Sequence, residues 1–308
     1  MGSLEYPASD SQRTPGLVDA RTFAGEPFQV ALLREIGWGA TATVFVGTIV
    51  NDSPSPLVAV KVFRDTPDEY HRDLLKRELR VTRRISLRRH PLILPFIGSG
   101  TLGRRTVIVS VFMKNGRLSA HLKARKGVLR GWRDLLLQVA QALEYLHTVE
   151  GLVHGDLNCA NVPISNSGNA LLADLGLCAP ADEAHRLGPG NYTLRYAAPE
   201  ILLGPEDPSA PSLAKSRASD VYAFGMLVYE VLTRERPWAG LPDARVILEV
   251  HSRRHPSVDA LRHSLWPSFP SRVWARLCRR CWKLAPDDRP SMPAIVEMLE
   301  VGASVEDS

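Results

Sequence analysis

From Phe28 to about Ser110 the chain alternates short apolar runs with turn residues, whereas beyond about residue 117 the apolar positions recur at helical spacing. Runs such as FQVALLREI and LVAVKVF, the latter from Leu57 to Phe63, are rich in branched apolar residues and predict strands. One helix is predicted among them. In DEYHRDLLKRELRVTRRIS, Leu75, Glu78, Leu79 and Thr82 fall on one face, so Glu78 points inward. Further on, Leu136, Val139, Leu143 and Leu146 mark a long amphipathic helix that begins a helix-rich part. The order predicts an α+β chain with a strand-rich part at about 28–110, a connector at about 111–116 and a mainly helical part at about 117–302. Residues 1–27 and 303–308 read as disordered tails, and the proline-rich stretch Gly204 to Ser219 as a surface excursion without a helix of its own.

Five segments in this frame carry chemistry suited to phosphoryl transfer. GWGATATV, Gly37 to Val44, lies between two strand-like runs, so its bare backbone could bend over phosphates and offer N–H groups. Lys61 is a lone cation between Val60 and Val62, and a charge in an apolar strand needs an anionic partner. Glu78, on the apolar face of its helix, is the candidate: paired, the two relieve each other's desolvation and leave an ammonium proton for phosphate. HGDLNCAN, His154 to Asn161, is followed thirteen residues later by Asp174-Leu175-Gly176. Asp156 could accept a hydroxyl proton there, while Asn161 and Asp174 could supply hard oxygen ligands to magnesium.

In this order the segments resemble the eukaryotic protein kinases over about Phe28 to Gly302. The resemblance implies a bilobal kinase-like fold, a β-rich N-lobe with one helix and a mainly helical C-lobe, with ATP and Mg2+ as cofactors. It implies that Gly37 and Gly39 cover the nucleotide, that Lys61 and Glu78 form the phosphate-positioning pair, that Asp156 is the catalytic base, and that Asn161 and Asp174 hold the metal. Val44, Ala59 and Pro163 would line the adenine site, with Ser110 as a small gatekeeper and backbone bonds from Val111 and Met113. Ala198-Pro199-Glu200 matches the A-P-E triplet, Asp220 resembles the aspartate that braces the catalytic loop, and Arg289 the arginine that pairs with the triplet's glutamate. HPLILPFIG, VSVFMKNGRL and SDVYAFGMLVYEVLTRERPW look most like the tyrosine-kinase-like group, whose usual acceptors are serine and threonine. Thr193 aligns with the threonine that contacts the catalytic aspartate in serine/threonine enzymes.

The chain departs from that pattern at several positions. Asn158 stands where serine/threonine kinases place a lysine that steadies the transferring phosphate, and no cation in the loop substitutes for it; slowing by about 10² or more is expected. Pro163 replaces an apolar branched residue. Gly155 replaces the arginine that clamps a phosphorylated activation loop, which implies activity independent of loop phosphorylation. Ala42 stands for the third glycine and Leu175 for the phenylalanine of D-F-G. Three functions therefore stand: an ATP-dependent kinase of protein substrates, a catalytically weak pseudokinase serving as an ATP-binding or scaffold module, and a nucleic-acid-binding protein.

At 308 residues, 44% apolar and 23% charged, the chain can bury a sizeable core. No run approaches the roughly 20 apolar residues of a membrane span, and the polar start has no signal-peptide core, so an intracellular location, cytoplasmic or nuclear, is expected. Gly2 fits the myristoylation pattern only loosely, with Tyr6 where serine or threonine is preferred. Cys159, Cys178, Cys278 and Cys281 form no disulfide ladder, and Cys278-Arg-Arg-Cys281 reads as a core cysteine beside a partly exposed one. The net charge of +5 includes Arg72, Lys76, Arg77, Arg80, Arg83, Arg84, Arg88 and Arg89, crowded around the helix of Glu78. With aromatics nearly missing from that run, a solvated face is the first reading, acidic protein partners the second and nucleic acid the third.

Overall fold

The computed structural model describes residues 16–39, 41–50, 52, 55–65, 69–124, 131–180, 192–204, 215–259 and 271–306, and they form two compact units. The first takes described residues from 1–72 and 95–112. Its strands are β1 (Leu17–Thr22), β2 (Pro27–Trp38), β3 (Ala42–Ile49), β4 (Leu57–Phe63), β5 (Phe96–Leu102) and β6 (Arg105–Val111). They close into an antiparallel barrel in the order β1-β2-β3-β4-β6-β5, which leaves no open edge. Alternation fixes the faces: Val58, Val60 and Val62 of β4 and Val107 and Val109 of β6 fill the interior with Val18, Ala20, Val30 and Leu32.

The strand β1 corrects the expected tail at 1–27, because the barrel begins at Leu17. Only Val18 and Ala20 of this strand point inward, too few to announce themselves. Its close fit depends on glycines elsewhere: a Cβ at Gly98 or Gly100 of β5 would collide with the backbone of Arg21 or Asp19.

The second unit takes described residues from 73–94 and 113–308. It holds most of α1 (Glu69–Arg88), then α2 (Leu118–Ala124), α3 (Trp132–Thr148), the pair β7 (Leu152–Val153) and β8 (Ala179–Pro180), α4 (Pro199–Leu202), α5 (Arg217–Thr233), α6 (Asp243–His251), α7 (Ser271–Cys281) and α8 (Met292–Glu306). On α1, Glu78, Val81, Thr82 and Ile85 are buried, the face that the helical period predicts. On α3, Leu136, Val139, Leu143 and Leu146 are all buried. Helix α5 is the axis of this unit, with every residue from Ser219 to Leu232 buried. Its first turn is fixed by a capping box in which Ser216 and Ser219 exchange side-chain to backbone bonds.

Three readings change here. The stretch 204–219 is not all surface: α5 starts inside it, and Lys215 and Ser219 are buried, while residues 205–214 lie outside the described residues. Cys278 and Cys281 are both fully buried, three residues apart on one face of α7, and Cys281 meets α5 where a Cβ on Gly225 would stand 2.7 Å from the Cys281 Cβ. Burial pushes both thiols up, Cys281 to about 12, which makes them core residues. The arginine-rich face of α1 is partly committed as well. Arg84 forms an ion pair with the Glu150 carboxylate at 2.8 Å and donates to its backbone carbonyl at 2.9 Å, and Arg88 stands 3.7 Å from the same buried carboxylate, which also accepts the Tyr145 hydroxyl. Among the described residues no helix is long and apolar enough to cross a membrane.

Candidate active site

The segment from β7 to Asn161 is held in shape by one buried carboxylate. Asp220 of α5 accepts the backbone N–H of His154 at 2.7 Å and that of Gly155 at 2.9 Å, and its Oδ2 lies 2.8 Å from His147 Nε2. Burial alone would raise the Asp220 carboxyl; His147, His154 and the Gly155 N–H outweigh it and hold the group below the ordinary range. His154 is fixed from both nitrogens. Its Nδ1 accepts the Asp156 N–H at 3.2 Å, so its Nε2 carries the proton donated to the Ala173 carbonyl at 3.0 Å.

Four donors then converge on Asp156. Its Oδ1 accepts the Thr193 N–H and hydroxyl, each at 2.8 Å, and its Oδ2 accepts the amides of Asn161 at 3.1 Å and Asn158 at 3.3 Å. Asn158 also donates to Thr193 Oγ1 at 3.0 Å and caps the turn after it by accepting the Ala160 N–H. Burial raises the Asp156 carboxyl above its usual range, Thr193 and His154 oppose that shift, and the charge of Asp174 adds to it. Thr193→Val leaves Oδ1 with a single donor and Asn158 short of an acceptor. A loss of about 1–2 kcal/mol in unfolding free energy, measured by denaturant titration, is expected.

Asn161 spends its amide nitrogen on Asp156, which leaves its oxygen as a neutral hard donor. Asp174 sits at φ 59 with an exposed side chain, a left-handed conformation that aspartate tolerates. An amide oxygen and a carboxylate of this kind suit magnesium. Behind Asp174, a Cβ on Gly176 would stand 2.5 Å from Glu78 Oε2, so the glycine makes room for that buried carboxylate.

In the barrel, register brings the residues expected at the nucleotide onto one face. Val44 pairs with Lys61, Lys61 with Ile108, and Ala59 with Ser110, all on the side of the wall opposite the Val58, Val60 and Val62 core. Lys61 Nζ lies 5.1 Å from the Phe63 ring centre. Gly37 pairs with Val44, and the Gly39 N–H bonds the Ala42 carbonyl at 2.8 Å. A Cβ at Gly37 would meet nothing within 4 Å and one at Gly39 only the Ala42 carbonyl at 3.8 Å, so the fold itself asks for neither glycine. The Val111 N–H is committed to the Pro95 carbonyl at 3.0 Å, which leaves the carbonyl as the group Val111 would offer a nucleotide. The Met113 carbonyl accepts the Gly116 N–H at 3.1 Å. In the second unit Pro163 forms a one-residue bridge with Arg117, where a missing N–H costs little.

The segment from Thr193 to Glu200 is anchored at four points, one of them Arg195, which donates to the carbonyls of Pro237, Trp238 and Leu241 and to the Asp243 carboxylate. Thr193 holds Asp156, the Tyr196 hydroxyl donates to buried Glu230, and Glu200 receives both terminal nitrogens of Arg289 at 2.6 and 2.7 Å. Lys215, which sequence reasoning passed over, lies in the same neighbourhood. It is 4% exposed, and its Cδ would be 2.9 Å from a Cβ on Gly155. The only sequence trace of it is a lysine just ahead of the capping serine of α5.

The profile of the family described as protein tyrosine and serine/threonine kinase matches residues 30–299. The chain belongs to the protein kinase family. This kinase domain is 25% identical over 309 residues to the serine/threonine-protein kinase STY17 of Arabidopsis thaliana, covering 96% of the chain and 49% of the relative. It is 28% identical to the probable serine/threonine-protein kinase drkC of Dictyostelium discoideum, covering 97% and 39%. It is 31% identical to the L-type lectin-domain containing receptor kinase I.7 of Arabidopsis thaliana, covering 86% and 40%. The chain thus spans half or less of the length of these relatives.

Proposed function

We propose that the chain is an active, ATP-dependent protein kinase of the tyrosine-kinase-like group that phosphorylates serine and threonine hydroxyls of protein substrates. The observation that carries this reading is the Asp156 carboxylate, held by Thr193, Asn158 and Asn161 on a loop braced by Asp220. In the general kinase scheme such a carboxylate accepts the proton of the attacking hydroxyl. Lys61 would pair with Glu78 and position the α- and β-phosphates, and Gly37 and Gly39, which the fold does not need bare, would let backbone approach them. Val44, Ala59, Ser110, the Val111 carbonyl, Met113 and Pro163 would receive adenine. Asn161 and Asp174 would hold magnesium, whose charge offsets that of the phosphates. The protein's contribution is position and electrostatics, with little covalent chemistry of its own. An intracellular setting and acidic protein partners fit the composition and the exposed arginines of α1.

Asn158 favours a second reading, the pseudokinase, since the loop carries an amide where a lysine would stand. Transfer of labelled γ-phosphate from Mg-ATP to the chain itself or to generic protein acceptors separates the two. Wild-type protein is expected to exceed Asp156→Ala clearly; equal rates would overturn the enzyme reading for those acceptors.

A further inference from the structure

The catalytic segment His154 to Asn161 contains no lysine or arginine, yet a cation from a distant segment lies against it. Lys215, one residue ahead of the α5 cap Ser216, runs its side chain over Gly155. A side chain at Gly155 has no room, because a Cβ there would stand 2.8 Å from the Leu177 carbonyl and 2.9 Å from Lys215 Cδ, and φ is +78. Glycine at 155 and lysine at 215 are thus two halves of one arrangement: the loop gives up a side chain, and the stem of Lys215 occupies the space.

The position is a costly one for an ammonium. It is 4% exposed and precedes the N-terminus of a 17-residue helix, whose dipole disfavours positive charge. An apolar residue would fill the same volume without that penalty, so the charge itself needs a reason. The charged and titratable groups acting on it are Asp156 on the catalytic loop, Asp220 on α5 and Cys178 on the segment before β8; His154 and Asp174 act in turn on Asp156, and His147 and His154 on Asp220. Burial lowers the ammonium to about 8, and Asp156, then Asp220, then Cys178 hold it up.

Building on the kinase reading, we infer that Lys215 is a positioning residue for phosphoryl transfer. Threaded past Gly155, its ammonium fixes the Asp156 carboxylate, a positive charge brought to a loop that carries none of its own. Because the cation is a permanent part of the chain, no phosphate on the activation segment is required to bring it in. A loop without a lysine at 158 thereby keeps a cation for its carboxylate.

The test is a pair of variants followed by rate, melting and pH. Lys215→Met is expected to lower kcat for phosphate transfer by about tenfold or more while KM for ATP stays within about twofold, since the lysine acts on Asp156 and not on the nucleotide. A lysine lowered by folding costs stability below about pH 8, and that cost fades as pH rises from about 8 toward the ordinary lysine value. Lys215→Met should therefore melt no lower than wild type at neutral pH, which a purely structural lysine would not allow. The wild-type rate should fall as pH rises through about 8, and Lys215→Arg should keep the neutral-pH rate and move that fall to higher pH. Independently of rate, 15N-lysine NMR of the folded protein should show Lys215 titrating lower in Asp156→Asn than in wild type. A wild-type kcat and pH profile in Lys215→Met, a Lys215→Arg as slow as Lys215→Met, or a Lys215 titration unmoved by Asp156→Asn would each overturn the proposal. Were wild-type protein no faster than Asp156→Ala, the kinase reading would fall instead, and the NMR titration alone would decide whether Lys215 is coupled to Asp156.

Discussion

Asp156→Asn is expected to lower phosphate transfer by about 10²–10⁴, the span that a positioned acid–base group supplies. The size follows from geometry as much as from the lost base. Both oxygens of Asp156 already face donors, Oδ1 the Thr193 N–H and hydroxyl and Oδ2 the amides of Asn158 and Asn161. Asparagine has one acceptor and one donor at these positions, so whichever way it sits, two donors meet an N–H, and the side chain must rotate or the turn must open. Asp220 is untouched, so the backbone of the loop should keep its bonds and the protein should fold. Burial raises the Asp156 carboxyl, so at neutral pH its charge weighs against the folded state, and removing that charge should not lower the melting temperature by much. A variant that transfers phosphate within threefold of wild type, while melting normally, would remove Asp156 from the chemistry.

What could be read in the sequence follows a physical division. Asp156, Asn158 and Asn161 lie within six residues, and their bonds to one another are local, so motif spacing contains them. The inward face of α1 and the four leucine and valine positions of α3 follow from the helical period alone. Asp220 and Arg289 became legible only through family resemblance, since nothing near them in the chain indicates the loop N–H groups or Glu200 that they hold. Lys215 escaped both routes. Its burial results from two segments meeting at Gly155, and a lysine in a proline-rich run reads as solvated until that meeting is seen. Strand β1 was lost for a related reason: two small inward residues are a weak periodic signal, and the glycines that admit them lie on β5. Cys281 and Glu150 likewise owe their burial to partners far along the chain.

Arg289→Ala is expected to cost about 3–5 kcal/mol of stability, the amount associated with stranding one member of a buried ion pair. Its guanidinium side chain is 0% exposed, and that of Glu200 is 8% exposed. Beyond the two bonds to Glu200, Arg289 donates to the carbonyls of Ala218 at 3.0 Å, Lys283 at 2.8 Å and Leu284 at 3.2 Å, and it stacks 5.2 Å from the Tyr222 ring centre. Alanine would leave a carboxylate and three carbonyls without their donor, and lysine cannot rescue it, because one ammonium cannot span two carboxylate oxygens and three carbonyls. Set against the 5–15 kcal/mol that typically separates folded from unfolded chains, that loss should lower the melting temperature by about 6–20 °C. The cost should not stay local. Glu200 is one of four anchors on the segment that delivers Thr193 to Asp156, so phosphate transfer by the folded fraction should fall as well. In Glu200→Met combined with Arg289→Met, no buried charge is left unpaired, and the double variant should be more stable than the sum of the single losses predicts. An Arg289→Ala protein that melts within about 2 °C of wild type would show that the pair carries no such stabilisation.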